Sequence, residues 1–175
     1  MNIRPALASD AERIADIHAR SWHHTYQGTF TAQYLSDVVS KERQELWINR
    51  FDQPKPNQYV IVAEQDAEML GFACVYVGEN PKWGSYLDNL HVRKDQQSRG
   101  IGKSLLVEIW DWCNQQKPNS GLCLTVNQDN VKAQAFYKSL GARNVKEDLW
   151  NAPDGSTVPT YWFVWSPKEL EGHLV

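Results

Sequence analysis

The chain has no apolar run near the roughly 20 residues needed to span a bilayer, and its start, Met1-Asn2-Ile3-Arg4-Pro5, lacks the apolar core of a signal peptide. A cytoplasmic protein without a membrane partner is expected. Nor is there a block of one charge: 18 basic residues stand against 21 acidic ones, for a net charge of −3. With no cluster able to neutralise a run of phosphates, nucleic acid is not an expected partner. Cysteine is scarce. Cys74, Cys113 and Cys123 are odd in number, share no CxxC spacing and lie inside apolar segments, which reads as buried free thiols in a reducing compartment. His23-His24 has no partner at i, i+4, so no metal site is expected. Repeats, low-complexity tracts and linkers are also missing. What remains is 175 residues of 42% hydrophobic content, read as a single domain over residues 1–175 that buries roughly 70% of its unfolded surface.

Asn2 to Arg4 reads as a short strand ended by Pro5. Ser9-Asp10-Ala11-Glu12 matches a capping box, and Ile14, Ile17, Ser21 with Trp22, and Thr25 with Tyr26 follow at helical spacing. Phe30 to Phe51 predicts a second helical region, in one or two pieces, ended by Pro54 and Pro56. The period then changes. Tyr59 to Ala63 is short and β-branched, and Leu70 to Val77 follows a polar turn, so two hairpin-linked strands are expected. Ser85 to Val92 is another strand, with Tyr86, Asp88, Leu90 and Val92 on one face. From Arg99 to Gln116, Ile101, Leu105, Leu106, Ile109, Trp110 and Cys113 mark one helical face. Leu122 to Val126 is an all-apolar strand suited to cover on both sides, and Asn130 to Leu140 predicts a helix closed by Gly141. Strand, helix, strand, helix implies a parallel crossover. The tail reads as a hairpin of Asn144 to Trp150 with Thr160 to Trp165 around Asp154-Gly155.

The chemistry is concentrated in Gln97-Ser98-Arg99-Gly100-Ile101-Gly102-Lys103-Ser104, between a strand and a helix. Free backbone N–H groups collect at a helix start, and the absence of Cβ at Gly100 and Gly102 lets a bulky anion approach them along the helix dipole. A phosphate or pyrophosphate is the expected ligand. Arg99 and Lys103 either add charge to it or are solvated side chains of the first turn. Two better-known phosphate loops are excluded. A Walker A loop ending at Gly102-Lys103-Ser104 requires its first glycine where Gln97 stands, and GxGxxG from Gly100 requires its third where Leu105 stands.

What remains, Gln97-x-x-Gly100-x-Gly102 after a strand ending Leu90-His91-Val92, resembles the acyl-CoA pyrophosphate loop of the GNAT superfamily of N-acetyltransferases. Asn130-Val131-Lys132-Ala133-Gln134-Ala135-Phe136-Tyr137-Lys138-Ser139-Leu140-Gly141 is similar to that family's N-x-x-A-x-x-F-Y-x-x-x-G segment on the next helix. The order of elements follows the family over essentially the whole chain. The resemblance implies an α/β fold with a mixed, mostly antiparallel central sheet, splayed parallel strands and flanking helices. Acetyl-CoA is the implied cosubstrate. Its pantetheine would pair with the backbone of Leu90, His91 and Val92, and its pyrophosphate would lie on Gln97, Ser98, Arg99, Gly100, Ile101, Gly102 and Lys103. Asn130 would hydrogen-bond the pantetheine or phosphate region.

Further roles follow from the same resemblance. Tyr137 would sit at the sulfur as the acid that protonates departing CoA, against the alternative of a half-buried packing aromatic. The family often carries its base on the strand before the loop at the position that is Tyr86 here. Asp88, two residues on, either substitutes or is an exposed or ion-paired carboxylate. A backbone N–H near Leu90 or His91 would meet the thioester oxyanion. Specificity would come from the first two helices and the closing hairpin, where Trp22, His23, His24, Tyr26, Phe30, Tyr34, Trp47, Trp150 and Trp162 divide between core and pocket. The implied reaction is direct acetyl transfer to a primary amine of a small molecule. The alternatives are a protein N-terminal or lysine acetyltransferase and a non-catalytic acyl-CoA-binding domain. A homodimer is left open.

Overall fold

The computed structural model describes residues 1–174. The chain opens with β1 (Asn2–Pro5), a 3-10 turn (Ala8–Asp10), α1 (Ala11–Thr25), α2 (Ala32–Asp37) and α3 (Val39–Asp52). It continues with β2 (Gln58–Gln65), β3 (Glu68–Asn80), β4 (Gly84–Val92), α4 (Ile101–Gln116), β5 (Leu122–Asn127), α5 (Val131–Ser139), β6 (Arg143–Asn151), β7 (Thr157–Trp165) and α6 (Pro167–Leu174). The strands form one seven-stranded sheet in the order β1-β2-β3-β4-β5-β7-β6. Pairing is antiparallel at β1/β2, β5/β7 and β6/β7 and parallel at β4/β5. The mixed, mostly antiparallel α/β class is therefore the observed one, with α4 as the crossover. The parallel register is recorded at Ser85/Leu122 and Tyr86/Cys123, at the beginning of both strands. No described helix is long and apolar enough to cross a membrane.

The residues group into two compact units, Met1–Cys74 with Asn89–Leu106, and Val75–Asp88 with the chain from Val107 onward. Ile14, Trp47, Ile61 and Phe72 are fully buried in the first unit, and Ile109, Leu122, Phe163 and Trp165 in the second. Every apolar residue assigned to the inner face of α4 is buried, as are Leu122 to Leu124 of β5. Burial pushes the thiols of Cys113 and Cys123 up to about 11 and about 12, which leaves them unreactive at neutral pH.

Two local outcomes differ from the sequence pattern, at Ser9 and at Ser166, and two others, the β2–β3 turn and the two-piece second helical region, give it detail. Ser9 and Glu12 do not form a capping box. Asp10, only 3% exposed, accepts the Leu7 N–H at 2.9 Å and both Arg4 terminal nitrogens at 2.7 and 3.1 Å, while Arg4 also grips Glu64. A charge-assisted network of this kind outcompetes a hydroxyl cap at an exposed Ser9. A box does form where none was expected, with Ser166 N–H donating to Glu169 at 2.7 Å and Glu169 N–H to the Ser166 hydroxyl at 3.4 Å. With Pro167 at the first position of α6, it starts a helix outside the expected elements. The β2–β3 turn is made by Asp66 and Ala67 at φ of 52° and 64°, a mirror-image turn without glycine. The second helical region breaks in two, with Thr31 capping α2 through the Tyr34 N–H and Val38 at the junction with α3.

Candidate active site

The first unit holds the end of β4, the loop after it and the start of α4. Ser98 and Gly100 are both left-handed, at φ of 64° and 81°, flanking Arg99. The first N–H to reach back along α4 is that of Ser104, bonded to the Gly100 carbonyl at 3.0 Å. The N–H groups of Ile101, Gly102 and Lys103 therefore precede the helical ladder and lie at the positive end of its dipole. A Cβ on Gly100 would meet nothing within 4 Å, so glycine serves the backbone conformation there. Gly102 lies within α4 and takes no left-handed φ. Arg99 and Lys103 are exposed. The Gln97 amide donates to the Val92 carbonyl at 3.2 Å. Gln97 thus ties the loop to the strand as well as belonging to it.

Leu90, His91 and Val92 are positioned by contacts that the sequence pattern did not reveal. A Cβ on Gly71 of β3 would stand 2.6 Å from the His91 carbonyl and 3.2 Å from the Val92 Cα. Arg93 N–H donates to the Leu70 carbonyl at 2.8 Å. The His91 ring, assigned no role from sequence, bonds through Nδ1 to the Ser21 hydroxyl at 2.8 Å. It lies 4.7 Å from His18 and 5.3 Å from Phe72. Burial lowers His91 to about 4, with Arg43 adding to the effect. His18, 1% exposed, is held well below its ordinary value by burial first and then by His91, Arg43 and Arg50. Its Nδ1 accepts the Trp47 indole N–H at 3.0 Å, which places the proton of the neutral ring on Nε2. Helical spacing from Ile14 to Trp22 was the available signal for His18 as a core residue.

In the second unit, Tyr137 is 9% exposed and packs against Phe136, Phe163 and Trp165, with ring centroids 5.2, 6.3 and 5.9 Å away. Burial raises its phenol well above the ordinary value, with Tyr86 adding to the shift, so the group is neutral and protonated across the physiological range. Its hydroxyl forms no hydrogen bond among the described residues, although the ring belongs to the core. Asn130 caps α5, with Oδ1 accepting the Ala133 N–H at 3.1 Å. Its Nδ2 is the atom suited to a ligand. Asp88 is half-buried on β4. Tyr86, where the resemblance leads one to expect an acid, shares a hydrogen bond with Thr125 at 3.0 Å and packs against Trp162 at 5.8 Å.

Element order, sheet topology and the glycine turn into α4 define an α/β protein of mixed sheet with a helix start suited to an anion. The sequence model of the acetyltransferase (GNAT) family matches residues 13–142, and the chain belongs to that family. It is 29% identical over 141 residues to the peptidyl-lysine N-acetyltransferase YjaB of Salmonella typhimurium, covering 81% of this chain and 82% of that protein. It is also 29% identical over 140 residues to the L-amino acid N-acetyltransferase AaaT of Escherichia coli, covering 79% and 80%. Among solved structures, the PaiA N-acetyltransferase of Thermoplasma acidophilum in complex with coenzyme A superposes with a TM-score of 0.66. That likeness covers 91% of this chain and 96% of the other at 20% identity, a similarity of fold.

Proposed function

We propose that the chain acts in the cytoplasm as one domain over residues 1–175, moving the acetyl group of acetyl-CoA directly to a primary amine of a small molecule. The observation that carries this is the start of α4, where Gly100 turns left-handed and three N–H groups precede the ladder. A pyrophosphate is the ligand that such a cradle suits. Coenzyme A, present in the Thermoplasma relative, carries one. In this reading Gln97 through Lys103 hold the pyrophosphate, the backbone of Leu90, His91 and Val92 lies along the pantetheine, and Asn130 Nδ2 donates to the pantetheine or the phosphate region.

The chemistry has two proton problems. A lysine-like amine is neutral only about once in 10³ to 10⁴ molecules at pH 7, so attack requires that its proton leave first. Asp88, directly or through water, is the group we assign to it. The amine nitrogen then bonds to the thioester carbon while a backbone N–H near Leu90 or His91 meets the oxyanion. The C–S bond breaks as the Tyr137 phenol gives its proton to the departing sulfur, and the second proton of the bound nitrogen, which the amide cannot keep, passes to the Tyr137 phenolate and restores the phenol. The YjaB likeness favours a second reading, transfer to a lysine of a protein.

The test is a thermal shift followed by an amine screen. At 100-fold over its dissociation constant, a ligand of the native state adds about 2.7 kcal/mol, so acetyl-CoA is expected to raise the melting temperature by roughly 5 to 10 °C for this size. ATP should shift it far less. A panel of small amines and a lysine peptide, read by release of free CoA, then separates the two acceptor classes. An ATP shift as large as that of acetyl-CoA overturns the reading.

A further inference from the structure

We infer that the half-buried rings of Trp83, Tyr86 and Trp162 form an aromatic face that receives the acceptor amine as a cation, so that this enzyme's acceptors are small organic cations read by π faces. The inference rests on the acetyl-transfer reading above and gives it a substrate class.

Trp162 is the centre of the face, 5.0 Å from Trp83 at an interplanar angle of 45° and 5.8 Å from Tyr86 at 50°. All three residues are half-buried. The indole of Trp162 is fixed by a hydrogen bond from Nε1 to Asp148 Oδ2 at 3.0 Å. That carboxylate also accepts Lys146 at 2.6 Å and the Leu149 N–H at 3.0 Å. These bonds hold Asp148 down to about 2, so Trp162 stays oriented by an anion at any physiological pH. Asp148 is accordingly a positioning residue.

The protein supplies its own stand-in for the ligand. The Lys82 ammonium lies 4.9 Å from the centroid of Trp83, within the range in which an indole attracts a cation. Tyr86 carries the face toward the chemistry, because its hydroxyl is fixed on Thr125 at 3.0 Å and it shares one face of β4 with Asp88, two residues on. An aromatic ring therefore stands where the resemblance places a carboxylate. An amine is positively charged when it arrives and must lose its proton before it attacks. A π face holds the cation without the strong ion pair that would oppose that loss.

The probe is choline, whose quaternary nitrogen cannot be acetylated, compared with its neutral isostere 3,3-dimethylbutan-1-ol. Each is titrated by NMR into the full chain, with and without coenzyme A, at constant ionic strength. Choline should bind at least about fivefold more tightly than the isostere. Trp162→Leu should weaken it about tenfold, Trp162→Phe about threefold or less, and Tyr86→Leu about fivefold. Lys82→Met, which removes the resident ammonium, should tighten it two- to fivefold by the same interaction. If the isostere binds as well as choline, or choline does not bind in either condition, or the Trp162 and Tyr86 variants leave its binding unchanged, these rings are packing only and the inference is overturned. Choline binding without an acetyl-CoA thermal shift would keep the face and sink the transferase reading. The reverse pattern would sink the face alone.

Discussion

Tyr137 is a buried phenol whose ring belongs to the core while its hydroxyl forms no hydrogen bond among the described residues. Burial keeps it protonated, which suits a donor and disqualifies a base. Tyr137→Phe should therefore leave folding stability within about 0.5 kcal/mol, since no hydrogen bond is broken. Acetyl-CoA affinity should also be unchanged. The expected loss is about 10- to 10³-fold in kcat, the range for one positioned general acid. Single-turnover rates with an amine found in the screen decide it, because product release masks chemistry in steady state. Equal rates for parent and variant would leave Tyr137 a packing residue. The residue type and its helix were legible in the Asn130 to Gly141 segment. Its neighbours Phe163 and Trp165 were not, since they lie on a strand more than 20 positions away and only folding brings them near.

At the scale of elements, the end of β4 and the start of α4 depend on two glycines for different reasons. Gly100 is left-handed in open space. Gly100→Asp puts a negative charge where the phosphates would lie, at a conformational cost of about 1–2 kcal/mol for an L residue in the left-handed region. Calorimetry should show acetyl-CoA binding lost while the protein remains folded, and undiminished binding would mean that the loop is misassigned. Gly71 is different, because an added Cβ meets the His91 carbonyl at 2.6 Å. Gly71→Ala must displace the backbone of His91 and Val92, so it should weaken acetyl-CoA binding about tenfold or more without placing any atom in the proposed pantetheine path. We expect amide chemical shifts at Leu90 to Val92 to move in the free variant. If those shifts stay put while affinity falls, the positioning argument for Gly71 fails. The loop glycines were visible in sequence because a local conformation requires them. Gly71 was invisible because its constraint comes from a strand some 20 residues later.

At the scale of the whole molecule, stability should be lost on mild acidification. His91 is lowered to about 4 in the fold, against about 6.5 in an unfolded chain. Between those values the unfolded chain binds more protons, so stability falls as pH drops from 6.5 toward 4. The loss from His91 between pH 7 and 5 is about 1–2 kcal/mol, and the buried His18 acts in the same direction. Urea midpoints for His91→Gln should show a shallower slope over this window, and His18→Gln with His91→Gln should remove most of it. Parent-like slopes in both variants would place the acid sensitivity elsewhere. The sequence by itself determined what depends on neighbours along the chain. The helix and strand periods, the inner face of α4, the glycine turn at its start and the two motifs that carried the family resemblance all follow from short-range sterics and hydrogen bonding. Tertiary structure alone decided which side chains meet. The Arg4–Asp10–Glu64 network replaced the Ser9 cap, His18 came to lie beside His91, and Trp162 took its place between Trp83 and Tyr86. Each of these joins residues from separate elements, and their burial, charge and π contacts arise only when the sheet forms, because no local spacing encodes them.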